Sequence, residues 1–82
     1  MLKISRETKL TPEEAIKRAV VFFGPKGYGL KVKDEGNCCV TLEGGGGSVY
    51  VSTAPSKKGS TVDVESVEWD YQAQEFLREK LK

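Results

Sequence analysis

The sequence predicts an α+β fold: an antiparallel meander sheet of four or five strands with two helices packed on one face, in the order (β)αββββα. Three observations carry this. Apolar residues recur at helical spacing near both ends of the chain, over 12–23 and again from Trp69 to Leu81. Between those stretches lie four short runs that alternate with a period of two. Gly, Pro, Asp and Asn punctuate the junctions, and the connections are short enough that neighbouring strands pair antiparallel.

The N-terminal run places Leu2 and Ile4 on one side and Lys3 and Ser5 on the other. It either adds an edge strand or frays, which leaves the count at four or five. Leu10-Thr11-Pro12-Glu13-Glu14 is a helix start. Thr11 caps, Pro12 suits the first helical position, Glu14 closes a capping box, and Leu10 is placed to staple onto Ala15. Ala15, Ile16, Ala19, Val20 and Phe23 form the apolar stripe and Glu13, Lys17 and Arg18 the wet side, until Gly24-Pro25 ends the helix at residue 23.

Tyr28, Leu30 and Val32 alternate with Gly29, Lys31 and Lys33 as a half-buried strand, followed by turn chemistry in Asp34-Glu35-Gly36-Asn37. The run from Cys38 to Glu43 then faces Cys38, Val40 and Leu42 inward and Cys39, Thr41 and Glu43 outward. Val49 and Val51 against Tyr50 and Ser52 give the next strand, and Val62 and Val64 against Thr61, Asp63 and Glu65 the last, with a polar turn from Ala54 to Gly59 between them. In the final helix Trp69, Ala73, Phe76, Leu77 and Leu81 share a face, with Ser66 or Asp70 as its cap.

In the order strand, helix, strand block and C-terminal helix, the chain resembles a shortened helix-grip fold, in which a long terminal helix lies against a curved sheet. The resemblance is one of element order only, with no shared motif, and implies no function.

At 82 residues the chain is expected to be one domain, residues 1–82, with one core and no linker. Its 13 basic and 12 acidic residues nearly cancel, which argues against a nucleic-acid partner, since that affinity rests on concentrated Lys and Arg. Cys38 and Cys39 are neighbours and cannot staple distant segments, so a reducing cytoplasm is the expected location. Met1 to Lys9 has no signal-like apolar run and no stretch approaches the ~20 apolar residues of a membrane span, so no membrane partner is expected.

Each motif has a plain structural explanation that outweighs a functional one. Gly44 to Gly47 leads into a strand rather than a helix N-terminus, so it reads as a hairpin turn before a phosphate loop; its other use is as a lip over a ligand. Gly24-Pro25-Lys26-Gly27-Tyr28-Gly29 follows a helix and precedes a strand, the reverse of a nucleotide-binding loop. With no histidine and two adjacent cysteines, no metal or other cofactor is expected. Acid–base catalysis would fall to carboxylates that helix caps and wet faces already explain, so no catalytic residue is assigned.

Two readings of function remain. The first is a non-enzymatic protein-interaction or self-association module, a homodimer or a protein partner joined through a sheet edge, with Lys31 and Lys33 guarding one edge and Asp63 and Glu65 the other. The alternative is a minimal carrier for a small apolar ligand held between sheet and C-terminal helix, with Tyr28, Trp69 and Phe76 as walls and Gly45 and Gly46 as the lip.

Overall fold

The computed structural model describes residues 2–36 and 38–80, the side chains at 79 and 80 apart; the expected contribution of Leu81 to the terminal helix and of Asn37 to a turn lie outside these. The chain runs β1 (Leu2–Thr8), α1 (Pro12–Phe23), β2 (Lys31–Glu35), β3 (Cys39–Gly44), β4 (Gly47–Ser56), β5 (Gly59–Val67) and α2 (Asp70–Glu75), which continues as a π-helical turn over Phe76–Lys80. The five strands form one antiparallel sheet in the order β1-β5-β4-β3-β2. The N-terminal run is therefore a full strand, paired from Leu2↔Ser66 to Thr8↔Ser60. The α1 crossover carries the chain from the β1 edge to the β2 edge, and the meander then returns to β1.

The two helices cover one sheet face. Ala15, Ile16, Ala19 and Phe23 of α1, with Ala73, Phe76 and Leu77 of the terminal helix, bury themselves against Val40, Leu42, Val49, Val51, Val62 and Val64. This is the apolar stripe meeting the period-two face that the sequence predicts. Thr11 Oγ1 accepts from the Glu14 amide at 3.3 Å, fixing the start of α1, and the Gly24 amide donates to Val20 O at its end. Two serines also face the core: Ser60 Oγ donates to Leu10 O at 2.8 Å and Ser66 Oγ to Asp70 Oδ1 at 2.7 Å. Burial without those partners would be costly. No helix among the described residues is long and apolar enough to cross a membrane.

Several local expectations are corrected. Tyr28 belongs to a turn rather than β2, because the amides of Tyr28, Gly29 and Leu30 donate to Phe22 O, Gly24 O and Phe23 O, clamping this segment onto the end of α1. Cys38 is exposed, not core: β3 begins one residue later, so the alternation does not reach it. Neither Ser66 nor Asp70 caps α2, since β5 continues to Val67, Trp69 occupies the cap position without a side-chain capping bond, and the Asp70 carboxylate is taken by Ser66. Asp63 and Glu65 do not guard an edge, because β5 is flanked on both sides and the second edge is β1.

Pro55 sits within β4 rather than in the turn, which narrows to Lys57 and Lys58. Its missing N–H costs nothing there, because that position faces the side of β4 where β3 has already ended.

Candidate functional site

Residues expected to form a ligand site do come together, as a row of aromatic contacts. The β3–β4 connection is a two-residue turn with Gly45 and Gly46 both at positive φ (58° and 82°), the conformation a tight hairpin of this hand requires. Glu68, itself left-handed at φ 68°, turns the chain from β5 into the terminal helix. Trp69 then reaches across to that turn. Its Nε1 donates to Gly44 O at 2.9 Å, and its ring lies where a Cβ on Gly45 would come within 2.9 Å of Cζ2. Tyr28 follows at 5.8 Å between ring centroids, Phe22 at 5.2 Å from Tyr28, and Phe76 at 5.5 Å from Phe22.

These residues differ in exposure. Phe76 is fully buried beside Phe23 at 5.4 Å, so together with Leu77 it fills the space between sheet and helix. Tyr28 is 42% exposed and donates its hydroxyl to Glu75 Oε1 at 3.1 Å. Partial desolvation, then the Glu75 hydrogen bond and charge, push its phenol above the ordinary value. Gly46 stands clear of other groups. The concavity at this end opens outward, between α1 and the terminal helix. It is a groove of about 590 Å³ lined by Val21, Phe22, Tyr28, Lys17, Arg18 and Glu75. Val21, 62% exposed and off the buried stripe of α1, was the sequence signal for it.

The outer sheet face is polar and paired within itself. Lys3 Nζ lies 3.4 Å from Glu65 Oε1, and Lys33 Nζ 3.7 Å from Glu43 Oε1. The neighbouring Cys39 side chain is the main reason the Cys38 thiol and the Tyr50 phenol lie above their ordinary values. A raised thiol is a poorer nucleophile at neutral pH. Among the described residues no three Cys, Asp or Glu side chains gather as a metal-ligand set.

The two sheet edges differ in kind. β2 is short, its register slips between Val32 and Asp34, and it exposes Lys31, Lys33, Asp34 and Glu35, the devices that deter a further strand. β1 is seven residues long, unbroken in register, and has no proline. Which of its backbone groups are open follows from the turns. A two-residue turn makes Ser56 and Gly59 a hydrogen-bonded pair, so odd-numbered β5 residues bond to β4 and even-numbered ones to β1. The Thr53 amide donating to Cys38 O fits the same alternation one strand further on. Leu2, Ile4, Arg6 and Thr8 therefore bond to β5, and Lys3, Ser5 and Glu7 turn their N–H and C=O groups to the open side. The period-two pattern of residues 2–8 was visible in the sequence; that they form the outer strand depends on the distant β5.

Comparison with protein-family models, with curated proteins and with solved structures finds no match for this chain.

Proposed function

We propose that this chain is a non-enzymatic self-association module that joins another chain by extending its sheet at β1. The observation that carries this reading is the contrast between the edges: β2 is bulged and charged, whereas β1 offers a regular row of unpaired backbone groups at Lys3, Ser5 and Glu7. Leu2 and Ile4 add to it, being only half-buried where they pack at the margin of the core.

The test uses the open and bonded positions against each other. Proline at Ser5 removes an N–H that faces the open side, so Ser5→Pro keeps the β1–β5 ladder and blocks a further strand. Arg6→Pro removes an amide bonded to β5 and destabilises the fold instead. Sedimentation velocity over a concentration series is expected to show association for the parent chain and none for a folded Ser5→Pro variant. A parent chain that stays monomeric at ~1 mM, or equal association in Ser5→Pro, overturns the proposal.

The alternative, a carrier for a small apolar ligand, has its support in the groove beside Tyr28 rather than in the space filled by Phe76. Thermal stabilisation by aromatic or fatty acids that disappears in a folded Tyr28→Ala variant would favour it.

A further inference from the structure

The open edge of β1 is self-complementary about one point. Lys3, Ser5 and Glu7 present the free backbone groups, and their side chains stand on the outer sheet face as cation, small hydroxyl and anion, symmetric about Ser5. Resting on the edge-pairing reading above, we propose that the partner at this edge is a second copy of the chain, antiparallel to the first, with a two-fold axis through Ser5.

In that arrangement Lys3 of each copy lies opposite Glu7 of the second copy, and Ser5 opposite Ser5. All three pairs fall at positions whose N–H and C=O face outward, so each exchanges both backbone hydrogen bonds. Lys3, already 3.4 Å from Glu65, then sits between two carboxylates, Glu65 of its own chain and Glu7 of the second copy. On the helix-bearing face, half-buried Ile4 comes opposite Arg6 of the second copy, whose aliphatic stem covers it.

Sliding the register by two residues removes this match. One direction sets Lys3 against Ser5 and the other Ser5 against Glu7, with no opposite charges facing in β1. The one-residue slips between them put bonded groups against open ones. A two-fold contact consumes β1 of both copies and leaves only the bulged β2 edges outside, so assembly closes at two. A single strand pair buries less surface than a standard interface, so the dimer belongs to the weak class, with Kd of roughly micromolar or above.

The test is a charge exchange read by sedimentation equilibrium on the full chain, with the fold checked by circular dichroism. Lys3→Glu alone sets Glu against Glu7 twice in the dimer, and Glu7→Lys alone sets Lys against Lys3 twice. Each is expected to weaken dimerisation about 30-fold, two pairs turning from attraction to repulsion. An equimolar mixture of the two variants places opposite charges at both pairs and is expected to form a heterodimer near parent affinity, as is the double variant with itself. Single variants that dimerise like the parent, with no gain on mixing, overturn the register while loss of dimer in Ser5→Pro preserves the edge reading. Undiminished dimer in Ser5→Pro overturns both. A monomeric parent chain at ~1 mM likewise overturns both.

Discussion

Two adjacent glycines with the same backbone demand but different surroundings give a controlled test of the Trp69 contact. Gly45 and Gly46 both adopt positive φ, at 58° and 82°. Alanine at either position incurs the left-handed penalty of about 1–2 kcal/mol, offset by about 0.4–1 kcal/mol from a stiffer unfolded chain. At Gly46 nothing lies within 4 Å of the added Cβ, so Gly46→Ala is expected to cost about 1 kcal/mol or less. At Gly45 the Cβ comes within 2.9 Å of Trp69 Cζ2, and the ring must shift by several tenths of an ångström. That movement strains the Nε1 hydrogen bond to Gly44 O, worth about 1 kcal/mol, and disturbs packing against Tyr28 for about 1 kcal/mol more. Gly45→Ala is therefore expected to cost about 2–3 kcal/mol, a gap of about 2 kcal/mol, or about 8–16 °C in Tm for a domain of this size. Urea unfolding followed through the fluorescence of Trp69, the single tryptophan, measures both variants. In a Trp69→Ala background, with unfolding followed by circular dichroism because the tryptophan probe is gone, the gap should close. Equal costs within about 0.5 kcal/mol in the parent background would refute the account of Trp69 packed on this turn.

Two further outcomes follow from the aromatic row. Phe76→Ala opens a cavity beside Phe23 and is expected to destabilise by about 3–5 kcal/mol, much of the stability of so small a domain, which urea unfolding or loss of dispersed amide resonances reports. The Tyr28 phenol binds its proton more tightly in the folded chain than in the unfolded one, so its contribution is complete below the unfolded value near 10 and is lost as pH rises through the higher folded value. In a Tyr50→Phe background, which removes the other raised phenol, ultraviolet titration should show a late tyrosine component that Tyr28→Phe removes and Glu75→Gln moves back toward 10.

The parts of the fold legible in the sequence are those fixed by short-range chemistry. Thr11-Pro12 and Gly24-Pro25 bound α1 because capping and the loss of an N–H act within one turn, and the alternating valines of β4 and β5 mark their buried face directly. Tyr28 and Cys38 depart from the expected strand faces because alternation alone does not say whether a backbone bonds to a strand or to the end of a helix, as at Tyr28, or where pairing begins, as at Cys38. The start of α2 differs from the local capping pattern because β5 extends through Ser66 and draws Asp70 into a bond with it, a tertiary outcome with no local signature. Strand order was beyond local reading for the same reason. β1 pairs with a strand more than fifty residues away, and only that pairing makes β1 rather than β5 the edge and decides which of its amides are open.

The central claim, that β1 extends the sheet, predicts an alternating pattern in a single strand. Amide hydrogen exchange at low and high protein concentration, resolved by residue, reads it directly. Ile4, Arg6 and Thr8 should be protected at every concentration, whereas Lys3, Ser5 and Glu7 should exchange freely in dilute solution and become protected as the chain associates. Association that leaves Lys3, Ser5 and Glu7 exchanging as freely as in dilute solution would contradict the claim.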